Sequence, residues 1–149
     1  MEQKRLYLDV CAYCRPFDNQ EIVRNRLETD AFHLIMEMIK SEKYLAIISP
    51  IHLQEVEAIE NRQERIEILT LFERLEIVTK FDKKTIRARA EELHALKFGI
   101  ADAAHIAFAE AQADIFISCD MKLLKKCQRH NITIETINLV EFSIREDLR

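Results

Sequence analysis

Short apolar runs that alternate with helical patterns limit what this chain can fold into more than any other feature. Arg5–Val10, Leu45–Ser49, Ile115–Ser118 and Ile132–Ile137 each read as a strand, and Glu76–Thr79 as a weaker one. Between them apolar residues recur at helical spacing. In Asn19–Ser41 they fall at Ile22, Leu27, Ala31, Leu34, Ile35, Met38 and Ile39. His52–Asn61, Glu64–Leu75 (Ile66, Leu69, Phe72 and Leu75 on one face), Lys83–Lys97, Ala101–Ala113 and Met121–His130 complete the set. The alanines of Ala101–Ala113 lie on several sides of the helix, so its burial is expected. Strands separated by helices imply βαβ units with right-handed crossovers and a parallel sheet covered on both faces. The expected fold is therefore α/β: a three-layer α/β/α sandwich around a parallel five-stranded sheet, formed by residues 1–149 as one domain.

Composition removes several functions. One glycine, Gly99, and two prolines, Pro16 and Pro50, leave no flexible linker and no glycine-rich phosphate loop, so P-loop and dinucleotide-binding readings fall. The longest stretch without a charged residue, Tyr44–Gln54, is eleven residues, too short to span a membrane. The opening MEQKRLYLDV is charged, with too little apolar sequence for a signal peptide, so a cytoplasmic location is expected. Four cysteines fit that compartment as reduced thiols, although Cys11 and Cys14 form a C-x-x-C. The net charge is −4. The four acids discussed next account for all of it, so an RNA substrate is not excluded.

Those acids are Asp9, Glu55, Asp102 and Asp120. Each stands where an apolar run gives way to a turn or helix, in RLYLDV, IISPIHLQEVE, GIADAAHIAFAEA and IFISCD. No lysine or arginine flanks any of them. Carboxylates delivered by apolar strands need hydrogen bonds, a basic partner or a metal, and four together suggest a divalent-metal site. Individually, Asp120 also reads as a helix N-cap and Asp102 as a first-turn acid. In open α/β sheets ligands bind beyond the carboxyl ends of strands where the strand order reverses. Asp9 and Asp120 would meet there if the first and fourth strands were neighbours.

These motifs resemble the PIN-domain nucleases over nearly the whole chain. LYLDV resembles the first-strand motif ending in Asp9, IISPIHLQEVE the segment carrying Glu55, GIADAAHIAFAEA the alanine-rich helix opened by Asp102, and IFISCD the fourth-strand end with Asp120. The resemblance implies a PIN-like sandwich and hydrolysis of single-stranded RNA. Mg²⁺ or Mn²⁺ would be held by Asp9, Asp102 and Asp120, with Glu55 binding directly or through water. Ser118 stands where the family usually has Thr, keeping a hydroxyl that orients Asp120. Cys11 stands where many members have Asn or Ser. Small free-standing members, the VapC-like group, are often toxins held by an antitoxin protein, and the resemblance also implies a homodimer. Arg15, Lys122, Lys125 and Lys126, with Arg129, are the candidates for RNA phosphates.

Glu57 and Glu60 leave the helical register of Glu55 open by a few positions, but Glu57 lies about 200° around a helix from Glu55. His52-x-x-Glu55 and Asp102-x-x-His105 each place a histidine one turn from a carboxylate, as a metal ligand or as a hydrogen-bonding group behind the site. Tyr7, Tyr13 and Tyr44 form no stacking platform in the sequence. Two other readings remain: a catalytically inactive RNA- or protein-binding module, and a thiol redox protein using Cys11 and Cys14, which needs a depressed thiol pKa. A haloacid-dehalogenase-type phosphatase would need an acid where Cys11 stands.

Overall fold

The computed structural model describes residues 3–149. Five strands, β1 Lys4–Leu8, β2 Tyr44–Ile48, β3 Glu76–Ile77, β4 Ile115–Ser118 and β5 Glu135–Asn138, pair in the order β3-β2-β1-β4-β5. All four neighbouring pairs are parallel. The described helices are α1 Val10–Cys14, α2 Val23–Lys40, α3 Pro50–Glu57, α4 Arg62–Phe72, α5 Lys83–Ala95, α6 Ile100–Gln112, α7 Met121–Arg129 and α8 Leu139–Arg145. The sequence expectation of a parallel five-stranded α/β sandwich therefore holds.

Strand alternation divides the core in two. Leu6, Leu8, Ile48, Ile115 and Ile117 point to one face, against residues of α1, α2, α3, α4 and α8. Tyr7, Ile47 and Phe116 point to the other, against α5, α6 and α7. Every residue of β4 is buried, which suits a central parallel strand covered on both faces. On α6, Ala103, Ile106, Ala107 and Ala109 are buried, because small side chains let the helix lie close to both the sheet and α5.

Boundaries differ from the sequence reading where a side chain captures the backbone. The first strand ends at Leu8 rather than Val10, because the Asp9 carboxylate accepts the Val10 N–H at 2.8 Å and starts α1. The long helix begins at Val23 rather than Asn19; Asn19 Oδ1 instead accepts the Glu21 N–H at 2.9 Å. The last strand is Glu135–Asn138, in register with Ile115–Ser118, rather than Ile132–Ile137. Asn138 then caps α8, a helix that periodicity did not reveal; seven residues are too few to show a pattern.

Phe116 is fully buried between the sheet and α6. Phe116→Ala is expected to lower unfolding free energy by about 3–5 kcal/mol, read as a shift of the urea midpoint at unchanged slope.

Candidate functional site

The chain order reverses between β1 and β4, and the acids gather beyond the carboxyl ends of these two strands. Leu8 pairs with Ile117, and the Asp9 N–H extends the ladder to the Ile117 carbonyl at 2.8 Å. Asp9 is nine-tenths buried. Its Oδ1 accepts from Val10 N–H, and its Oδ2 accepts the Ser118 hydroxyl at 2.9 Å. Ser118 Oγ in turn accepts the Asp120 N–H at 3.0 Å. One hydroxyl thus ties the ends of the two strands together. Asp120 caps α7 through the Leu123 N–H, and Asp102 sits in the first turn of α6.

Burial pushes the Asp9 carboxyl up in pKa, opposed by His105, Ser118 and Val10 and reinforced by Glu55. Asp102 is raised first by burial, then by repulsion from Asp9 and Asp120. The same chain treats another buried carboxylate differently. Glu28 receives Asn138 Nδ2 at 2.8 Å, Arg15 at 3.2 Å and Arg24 at 3.3 Å. No lysine or arginine is among the groups that Asp9 and Asp102 feel most. The donor set is all oxygen and His105 is the one basic group set against its charge, which fits a hard divalent cation. Among the described residues no three Asp, Glu, His or Cys side chains already close on one point that could hold a metal; Glu55 is engaged by His105 Nε2.

Beneath Glu55 runs a buried polar column. His105 Nε2 meets Glu55 and lies 4.0 Å from Asp9 Oδ1. Its Nδ1 is 2.6 Å from the Tyr7 hydroxyl, which lies 2.7 Å from Ser49 Oγ. Ser49 caps α3 in a box with His52, whose Nδ1 accepts the Ser49 N–H at 3.0 Å and whose Nε2 donates to the Leu8 carbonyl at 2.6 Å. Burial, then His105, lowers His52 to about 3.

The rim also carries cations. Cys11, Arg15, Arg24, Cys119, Asp120, Met121 and Lys122 line a depression of about 450 Å³ beside the acids. Lys126 is turned elsewhere, donating to the Lys97 carbonyl at 2.7 Å and lying over Phe98, while Lys125 is exposed on α7. Cys11 Sγ accepts the Cys119 N–H at 3.3 Å. Contact with Cys119 and burial push its thiol well up, and burial raises Cys14 to about 12. Both shifts oppose the depressed thiol that a redox role needs.

The four acids named from the sequence therefore share one rim, and Ser118 touches Asp9 and Asp120. Glu57 is exposed, away from it. Sequence reasoning missed Tyr7, Ser49 and Arg24. Ser49 three residues before His52 carried an N-cap signal; Tyr7, one apolar-strand residue among others, carried none.

The family model for the PIN domain matches residues 20–129. No curated protein sequence matches the chain. Among solved structures, VapBC2 from Rickettsia felis, bound to a DNA fragment from their promoter, superposes with a TM-score of 0.60 at 20% identity, covering 90% of this chain and 98% of that one. FitAcB from Neisseria gonorrhoeae superposes with a TM-score of 0.52 at 14% identity, covering 90% and 97%. At these identities the likeness is one of fold.

Two measurements test the electrostatics. Asp102→Asn is expected to raise the melting temperature in EDTA, because it removes an uncompensated, half-buried charge. His52 is buried neutral, so its folded pKa lies below the unfolded value of 6.5. Its stabilisation is full above pH 6.5 and is lost as pH falls toward about 3. Across that window it contributes a slope of up to about 1.4 kcal/mol per pH unit, which His52→Gln should remove from denaturation curves.

Proposed function

The chain belongs to the PIN domain family, and from that premise we propose that it is an endoribonuclease cleaving single-stranded RNA with Mg²⁺ or Mn²⁺, and the toxin of a toxin–antitoxin pair. The observation that carries this reading is the gathering of Asp9, Asp102, Asp120 and Glu55 at the strand-order switch point without a neutralising lysine or arginine. Asp9, Asp102 and Asp120 would hold the ion directly and Glu55 directly or through water. When bound, the ion supplies charge neutralisation and Lewis acidity for phosphodiester hydrolysis.

The chain's own residues do the remaining work. Ser118 holds Asp9 and Asp120 at a set separation through its two hydrogen bonds. Arg15, Arg24 and Lys122 line the depression beside Asp120 and are placed for backbone phosphates of the substrate strand. Glu28 holds both guanidinium groups at that wall. Lys125 is exposed on the same helix as Lys122, whereas Lys126 is turned to the Lys97 carbonyl. Glu55 keeps one oxygen on His105 Nε2 and would offer its other oxygen to the ion.

A protein partner, either an antitoxin or a second copy of the chain, is supported by apolar residues that the fold leaves uncovered. Ile22, Val23 and Leu27 on and before α2, and Ile144 on α8, are at least half exposed. Between these helices Leu27, Ala31, Leu34, Val140 and Ile144 line a groove. The cytoplasm is the compartment this role requires, and among the described residues no helix is long and apolar enough to cross a membrane.

Purified protein is expected to cleave labelled single-stranded RNA with Mg²⁺ or Mn²⁺ and to stop in EDTA. Asp9→Asn and Asp102→Asn should each lower the rate by about 10²–10³-fold, the loss of a few kcal/mol of transition-state stabilisation. RNA that binds without cleavage under either metal would overturn the nuclease reading in favour of a non-catalytic binding module.

A further inference from the structure

The column of Tyr7, Ser49, His52 and His105 performs no step in that reading, yet its hydrogens can be assigned by elimination, because both of its ends are pure acceptors. At the deep end the Leu8 carbonyl lies 2.6 Å from His52 Nε2, so His52 carries its proton there. Its Nδ1 is left to accept the Ser49 N–H. At the cleft end an ionised Glu55 can only accept, so His105 also carries its proton on Nε2. The remaining lone pair, on His105 Nδ1, is reached by the Tyr7 hydroxyl at 2.6 Å. Tyr7 must then accept from the Ser49 hydroxyl at 2.7 Å, and Ser49 Oγ accepts the His52 N–H at 3.4 Å. Every polar hydrogen of the column finds one acceptor. Reversing the chain would send the Ser49 hydroxyl proton to His52 Nδ1, a place already taken by the Ser49 N–H.

Neither ring keeps a free nitrogen lone pair in this arrangement, so direct metal ligation by His52 or His105 is closed. What His105 offers the cleft is one N–H, aimed at Glu55 with Asp9 Oδ1 4.0 Å away. Tyr7 is itself held, packed against Phe116 on one side and His52 on the other.

We propose that His105 is a positioning residue, locked by Tyr7 as the Nε2–H tautomer, which orients the carboxylate of Glu55 toward a bound cation. The proposal rests on the metal-dependent reading above and deepens it. A ligating carboxylate whose one oxygen is held by a fixed N–H presents the other in a single direction, and such supporting hydrogen bonds typically change metal affinity by about 10–100-fold.

The test uses the full chain with Tyr7→Phe and His105→Gln. Long-range ¹H–¹⁵N spectra of the wild type should show both histidines protonated on Nε2, and Tyr7→Phe should release His105 into mixed tautomers while His52 stays fixed. Mn²⁺ affinity, read without RNA from the free-ion paramagnetic resonance signal, should fall about 10–100-fold in His105→Gln and by a smaller factor in Tyr7→Phe. The metal midpoint for cleavage should move in parallel, with the rate at saturating metal changed only a few-fold. Tyr7→Phe keeps the ring and decides alone if His105→Gln does not fold. A His105 proton on Nδ1 in the wild type, or unchanged Mn²⁺ affinity in the folded variants, would overturn the proposal. Wild type that binds Mn²⁺ with these shifts but does not cleave would sink the nuclease reading alone. Wild type that cleaves with no shift in either variant would sink only this one.

Discussion

Parallel pairing of β1 with β4 is the constraint on which the rest of the structure depends. Because the strands run the same way, their carboxyl ends open at one edge of the sheet, and the residue after each enters the same space. Asp9 and Asp120 are those residues, or nearly so, and Ser118 spans between them. Helix starts complete the arrangement: Asp9 caps α1, Asp120 caps α7 and Asp102 lies in the first turn of α6. Each carboxylate thus gains N–H contacts or a favourable helix terminus, offsetting part of the cost of placing like charges together. The remainder is negative charge that no lysine or arginine near Asp9 or Asp102 offsets.

Two buried carboxylates in one small protein show how differently the fold handles charge. Glu28 is neutralised within the fold, hydrogen-bonded by an asparagine from β5 and ion-paired with two arginines, and it fastens α2 to the strand ends. Asp9 is held in place but not neutralised. A carboxylate left without a lysine or arginine in a protected position lowers stability unless something binds there. Arg15 and Arg24 link the two, as the guanidinium groups anchored by Glu28 form the wall next to Asp120.

Cys11 illustrates how a departure from the family pattern can be absorbed. Asn or Ser at this position offers a polar side chain; the thiol instead accepts the Cys119 N–H and sits against Ser118. It therefore steadies the backbone between Ser118 and Asp120 without adding an oxygen donor to the rim. Contact with Cys119 pushes the Cys11 thiol pKa well up, which opposes a nucleophilic role.

Strand and helix alternation, the parallel sheet and the four acids were legible in the sequence because each depends on local pattern: period-2 or period-3.6 burial, and a polar residue ending an apolar run. Their likeness to the PIN domain rested on the same local motifs. Element ends were less legible, since Asp9, Asn19 and Asn138 redirect the backbone through single side-chain bonds that periodicity does not register. Only the tertiary structure decided which partners the buried polar groups take. Tyr7 reads as one more strand residue until the sheet face and α6 bring it to His105, 98 positions away. Glu55 and His105 read as separate one-turn motifs until packing of α3 near α6 joins them. The physical reason is distance along the chain: a sequence displays contacts its own periodicity creates, whereas hydrogen bonds between remote elements exist only once a common core has set their register.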